Sequence, residues 1–109
     1  MGLFVCLTAL AQMPTRGKYY RIVNARYNKV MKENWGAKSV TCNTLDEKDY
    51  TQIWQYTATG ALQNVYTARY LQNQPSGSNI FRTGGSAQAV TFTTHSDGHL
   101  GINTNGNCL

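Results

Sequence analysis

The sequence predicts an all-β fold built from repeated units of about forty residues that share one core. The segment 24–31, which reads NARYNKVM, recurs forty residues later as NVYTARYL at 64–71. Short runs rich in Tyr, Val, Ile and Thr alternate with Asn, Gly and Asp, the residue types of strands and of turns. No stretch shows helical periodicity. Because one such unit cannot bury its apolar face alone, neighbouring units must meet at a common centre.

The predicted strands follow the repeat. They lie at 19–23, 29–33, 39–42 and 52–57 in the first unit, and at 61–65, 69–73, 79–83 and 89–94 in the second. A third unit begins at 100–103, turns at Asn105-Gly106 and reaches Leu109. A third unit of this length leaves a strand edge open, which is a pairing hazard. We therefore expect either a fragment of a larger protein or self-association.

The chain starts with an uncharged apolar run that ends in Ala9-Leu10-Ala11, the small-residue pattern that a signal peptidase recognises. This predicts a signal peptide at 1–11, a linker at 12–17 and one domain at 18–109, in a protein that is secreted, periplasmic or at the cell surface. The positive charge that normally precedes such a run is missing. The alternative interpretation is a first strand. The run is too short to span a bilayer as a helix.

The net charge is +5, and most of the basic residues precede residue 40. A basic first half favours a polyanion as partner, although an ordinary solvated surface has the same composition. Export argues against nucleic acid. The acidic segment 46–49 is predicted to form at most one helical turn.

Nothing in the sequence favours catalysis, so we expect no enzyme, metal or cofactor. His95 and His99 flank a predicted hairpin turn and do not share a helical face as a metal pair would. Glu33 is the only glutamate outside the acidic segment, which gives a paired-carboxylate site no partner. Cys42 and Cys108 either pair in an oxidising compartment, or Cys42 is a small core residue.

Gln52-Ile53-Trp54, which closes the first unit, resembles the Q-x-W motif of ricin B-type lectin domains. The opening Ile22-Val23-Asn24, followed by Lys29-Val30-Met31, is similar to the start of the same repeat. The resemblance covers 18–109 and implies an incomplete β-trefoil, with lobe one at 18–60, lobe two at 61–98 and a partial lobe three at 99–109. In such a lobe Trp54 fills the core, and the Gln52 amide bonds to backbone before the last strand.

The resemblance also implies a shallow carbohydrate pocket on each lobe. Lys32 and Gln72 stand where sugar-binding lobes place an Asp acceptor. The residues predicted to contact glycan are Gln72, Asn73 and Phe81, followed by Asn34 and Trp35. For Phe81 the alternative is a core position, and for Gln72 and Asn73 it is a solvated strand end. The predicted function is a secreted carbohydrate-binding accessory module, in which lobe one has lost the acceptor and lobe two keeps an amide that can still accept. The alternative is a structural module, or one that docks protein or polyanion through its basic first lobe.

Overall fold

A computed structural model describes residues 3–5, 13–24, 27–72, 82–94, 96, 100–104 and 107–108. The described residues form strands joined by turns, with a single turn of 3₁₀ helix at Tyr50–Gln52. The strands are β1 Leu3–Val5, β2 Tyr19–Tyr20, β3 Ile22–Asn24, β4 Lys29–Asn34, β5 Ser39–Asn43, β6 Trp54–Tyr56, β7 Leu62–Asn64, β8 Tyr70–Gln72, β9 Arg82–Gly84, β10 Val90–Thr94, β11 Leu100–Thr104 and β12 Asn107–Cys108. The all-β prediction is confirmed.

The strands form two antiparallel sheets. The larger has the order β1-β3-β4-β5-β9-β8-β7-β6-β2, and the smaller has the order β10-β11-β12. A bridge between Ala61 and Ala89 joins the two sheets. Beside it, the Val90 amide donates to the Gly60 carbonyl at 2.8 Å. Within the described residues, no helix has the length and hydropathy needed to span a bilayer.

Strand β3 is paired on both sides, with β1 and with β4. The register of the first pair sets Leu3 opposite Asn24 and Val5 opposite Ile22, and β1 also contacts β11. The open edge that the shortened third unit predicts therefore does not fall on β3. This pairing supports the alternative interpretation of the apolar N-terminal run as a strand, while the signal peptide stays a prediction.

Two turns forty residues apart have the same geometry, as the sequence repeat predicts. The Asn28 amide donates to the Asn24 carbonyl at 2.8 Å, and the Ala68 amide donates to the Asn64 carbonyl at 2.9 Å. Asn28 and Ala68 both take left-handed conformations, with φ of 55° and 59°. In each turn the leading asparagine also accepts backbone amides through its side-chain oxygen. The repeat is thus one of local conformation as well as of residue type.

The core receives residues from all three units. Its buried members are Ile22, Met31, Trp54, Tyr56, Leu62, Leu71, Val90, Leu100 and Ile102. Trp54 is fully buried, and its indole N–H donates to the Met31 carbonyl at 3.1 Å. The indole therefore fills the shared centre without leaving a polar atom unpaired.

The strand predicted at 52–57 begins two residues later than expected. Gln52 belongs to the 3₁₀ helix, because its side chain bonds to the preceding loop. Its Oε1 accepts the Asp46 amide at 2.9 Å, and its Nε2 donates to the Thr44 carbonyl at 3.0 Å. The amide thus donates and accepts towards backbone, which is the role that the motif implies.

Cys42 lies on β5 as an exposed free thiol, so the interpretation of Cys42 as a core residue is wrong. Cys42 stands opposite the buried Met31 and points to the same face of the sheet, but the core does not extend over β5 at this position, so the thiol stays exposed. Neighbouring atoms still shield the thiol in part, and this desolvation raises the pKa of Cys42. The side chain is therefore not held as a reactive thiolate.

Candidate functional site

An open cleft of about 280 Å³ lies where the first two units meet. We call it the aromatic cleft. It is lined by Lys32, Trp35, Lys48, Asp49, Tyr50, Thr51 and Tyr66. These residues come from β4 and the turn after it, from the 3₁₀ helix and the loop before it, and from the second asparagine turn. Segments far apart in sequence therefore build a single surface.

Three of the lining side chains are large aromatic groups that stay in solvent. Trp35 is 58 % exposed, Tyr50 57 % and Tyr66 62 %. Large aromatic side chains are usually buried, and exposed ones that cluster commonly mark a binding surface. Their flat faces offer apolar area, while the indole N–H and the phenol hydroxyls provide hydrogen-bonding groups.

The backbone of Trp35 is held by a buried polar network that reaches into the second unit. Arg69 Nη1 donates to the Trp35 carbonyl at 2.7 Å and to Glu33 Oε2 at 3.3 Å. Glu33 is fully buried, and it also accepts the hydroxyls of Thr67 and Thr83, the latter at 2.5 Å. A buried carboxylate with this many donors is satisfied. Glu33 is therefore a structural group that fixes the Trp35 turn.

Tyr66 is positioned by Asn64, which is itself buried. Asn64 Oδ1 accepts the Tyr66 amide at 3.0 Å and the Thr67 amide at 3.3 Å. Its Nδ2 donates to the Thr51 carbonyl at 2.8 Å, which ties the turn to the 3₁₀ helix. The second asparagine turn thus holds the backbone of a tyrosine that lines the cleft.

Asp49 forms the polar floor of the cleft. Its Oδ2 lies 2.8 Å from Lys32 Nζ, and its Oδ1 accepts the amide of Thr51 at 3.0 Å and the hydroxyl of Thr51 at 2.5 Å. The hydrogen bond from Lys32, followed by those from Thr51, holds the pKa of Asp49 below its usual range. Lys48 makes no ion pair with any residue that the structure describes. The charges of the cleft therefore sum to a positive value.

The residues predicted from the sequence do not all come together. Trp35 lines the aromatic cleft, whereas Asn34 is exposed beside it and is not part of the lining. Gln72 is half-buried and lies across Gly84, where the missing side chain lets its Nε2 reach the Ser86 carbonyl at 2.9 Å. Asn73 and Phe81 lie outside the described residues.

Four lining residues were not among those predicted from the sequence: Tyr50, Tyr66, Lys48 and Asp49. Asp49 could have been found from its spacing, because an Asp two residues before a Thr is typical of a side-chain-capped turn. Asp49 does cap the 3₁₀ helix in this way. Nothing local in the sequence distinguishes Tyr66 from the equally exposed Tyr27.

No family model, curated protein or solved structure matches this chain. Among the described residues there is also no group of three or more His, Cys, Asp or Glu side chains that could hold a metal ion. The function is therefore argued from the geometry of the aromatic cleft.

Proposed function

We propose that this chain is a carbohydrate-binding accessory module that takes a glycan into the aromatic cleft, and that it does no catalysis. The observation that carries the proposal is the convergence of Trp35, Tyr50 and Tyr66, all exposed, on one polar-floored cleft. A sugar ring has apolar faces that stack on aromatic side chains and an edge of hydroxyls that needs donors and acceptors. The lining groups of the cleft match both requirements.

The glycan-binding proposal is also supported by the preorganised backbone of the aromatic cleft. The Trp35 turn is held by Arg69 and Glu33, and the Tyr66 turn is held by Asn64, so both aromatic side chains stand on fixed backbone before any ligand arrives. Fixing a surface in advance reduces the entropy that binding must overcome. Exposed aromatic residues on free loops would lack this advantage.

For the architecture we propose the ricin B-like β-trefoil. Supporting it are the repeated asparagine turns, the shared core around Trp54 and the backbone bonds of Gln52. The strand pairing is also compatible, since β6 pairs with β7 and β10 pairs with β11 across the proposed lobe boundaries.

Export is part of the proposal, on the composition of residues 1–11. N-terminal sequencing of protein recovered outside the expressing cell tests it. A mature chain that starts near Gln12 supports export with cleavage. An intact Met1 or Gly2 on a folded protein would instead favour the role of Leu3–Val5 as a strand of the fold.

A polyanion is the second candidate ligand, favoured by Lys48 and by the basic residues of the first lobe. A glycan array read at low and at high salt separates the two candidates, because contacts between exposed charges weaken as salt rises. Neutral-sugar signals that persist at high salt support the saccharide proposal. Binding only to sulfated or carboxylated chains, lost at high salt, supports the polyanion.

Variants then test the cleft itself, with affinity measured by calorimetry against the strongest array ligand. Trp35→Ala and Tyr66→Ala are expected to weaken binding by about tenfold or more each, equal to about 1.4 kcal/mol. Tyr27→Ala is the matched control, because Tyr27 is 63 % exposed, against 62 % for Tyr66, and occupies the equivalent turn of the first unit. Equal binding by all of these variants would contradict the proposal.

A further inference from the structure

A second cleft, of about 170 Å³, lies on the other side of the second asparagine turn. We call it the amide cleft. It is lined by Tyr19, Gln55, Gln63, Asn64, Val65 and Ala68. The turn that sends Tyr66 into the aromatic cleft contributes Val65 and Ala68 to this one. The two clefts have different linings and different chemistry.

The amide cleft is organised by strand register. Tyr19 on β2 stands opposite Gln55 on β6, and Gln55 stands opposite Gln63 on β7. Opposite residues in antiparallel strands point to the same face, so the three side chains form one row across neighbouring strands about 4.8 Å apart. The row is a tyrosine followed by two carboxamides. Its residues are far apart in the sequence, which is why no motif reveals it.

Both carboxamides are anchored to backbone. Gln55 Nε2 donates to the Gly17 carbonyl at 3.3 Å, and Gln63 Nε2 donates to the Ala68 carbonyl at 3.0 Å. Each amide uses one N–H in its anchor, and a carboxamide has a second N–H and an oxygen with two lone pairs. An unanchored glutamine would lose about 1.5–2 kcal/mol of side-chain entropy on being ordered by a ligand. The anchors reduce that cost in advance.

Among the residues that the structure describes, none that lines the amide cleft carries a charged side chain. The Tyr19 hydroxyl and the Gln55 and Gln63 amides can each donate and accept, which is the pairing that a hydroxyl needs, while Tyr19, at 61 % exposure, and the exposed Val65 provide apolar surface. A phosphate, carboxylate or metal ion would find no compensating charge here. We infer that the amide cleft is a second saccharide site, specific for a single neutral sugar ring.

The inference stands apart from the proposal for the aromatic cleft. It is tested on ¹⁵N-labelled full-length chain by titration with glucose, galactose, mannose and N-acetylglucosamine, each followed through the side-chain NH₂ signals of Gln55 and Gln63. At least one sugar is expected to shift both signals in a saturable way, with a Kd in the millimolar range that suits one ring in a shallow cleft. Glucuronic acid, the charged comparison, is expected to bind at least threefold more weakly than that sugar.

Variants separate the two clefts. Tyr19→Ala and Gln63→Ala are expected to raise the Kd for that sugar at least fivefold, measured on the Gln55 NH₂ signal that both variants keep, while Trp35→Ala leaves the Kd unchanged. Tyr27→Ala is again the control, because Tyr27 is about as exposed as Tyr19 and lines neither cleft. The inference fails if no neutral sugar gives saturable shifts, if Tyr19→Ala leaves them intact, or if Trp35→Ala abolishes them. It also fails if glucuronic acid binds as tightly as the neutral sugars.

Discussion

The two asparagine turns share the closing hydrogen bond and the left-handed residue at their ends, but they have different surroundings. The turn at 24–28 begins at a half-buried Asn24, whereas the turn at 64–68 begins at Asn64, which is 1 % exposed and also bonds to the Thr51 carbonyl. Thr67 and Arg69, in and just after the second turn, bind the buried Glu33 of the first unit. The repeat therefore sets the local shape. Packing against a neighbouring unit decides which copy becomes part of a site.

The largest effect on stability is expected from removing Glu33, the side chain that links the second turn to the first unit. Glu33→Ala leaves Arg69 and the hydroxyls of Thr67 and Thr83 without their acceptor, in a site where Glu33 was fully buried. Because Arg69 is partly exposed and keeps its bond to the Trp35 carbonyl, we expect a loss of about 3 kcal/mol of unfolding free energy, the lower end of the cost of breaking a buried pair. Urea denaturation followed by Trp fluorescence measures it.

The control for that variant is Glu47→Ala, which removes an exposed glutamate and is expected to change stability by less than about 0.5 kcal/mol. If both variants lose equally little unfolding free energy, the Glu33 network is not what fixes the second turn. Saccharide binding gives a second measure, since Trp35 depends on Arg69 for its backbone position. A folded Glu33→Gln protein is expected to bind glycan more weakly in the aromatic cleft.

The comparison between the turns is sharpened by removing each leading asparagine. Asn64→Ala deletes a buried side chain that bonds to Tyr66, Thr67 and Thr51, and we expect a loss of about 2–3 kcal/mol. Asn24→Ala acts at a more exposed site and is expected to cost about 1 kcal/mol. Thermal unfolding of both variants tests the ranking. An equal or reversed order would mean that the neighbouring unit adds nothing to the second turn.

A third test uses the left-handed residues at the ends of the turns. Ala68, at φ 59°, carries the steric cost of about 1–2 kcal/mol that this conformation imposes on a residue with a Cβ. Ala68→Gly removes that cost but adds chain entropy in the unfolded state, so a net gain of about 0.5–1 kcal/mol is expected. Asn28→Gly should change stability by only a few tenths of a kcal/mol, since asparagine tolerates the same conformation. A destabilised Ala68→Gly protein would contradict the assigned geometry.

How much of the fold and of the site could be predicted depended on how far apart in the sequence the interacting residues lie. The core position of Trp54 and the backbone bonds of Gln52 were implied by the resemblance to the Q-x-W motif, whose residues are neighbours in the sequence, and the structure shows both. The aromatic cleft was predicted only through Trp35. Tyr50 and Tyr66 meet Trp35 because loops of two units pack together, and neither tyrosine has a local signature of that packing. The pairing of β1 with β3 depends on a long-range register in the same way.

The smallest expected effect concerns pH and the floor of the aromatic cleft. The pKa of Asp49 is depressed in the folded chain by Lys32 and then by Thr51, so the ionised carboxylate adds stability above its unfolded pKa. That contribution is lost as pH falls through the lower, folded pKa. Asp49→Asn is therefore expected to be less stable than the wild type at neutral pH, with the difference shrinking in acid.

Thermal melts at neutral pH and at successively lower pH values measure this difference. Asp46→Asn serves as the comparison, because Asp46 accepts the Lys48 amide in the preceding loop, whereas the 3₁₀ helix is capped by Asp49. A constant difference between wild type and Asp49→Asn across the acid range would show that the carboxylate does not hold Thr51, and through it the Asn64 turn, in the way its hydrogen bonds indicate.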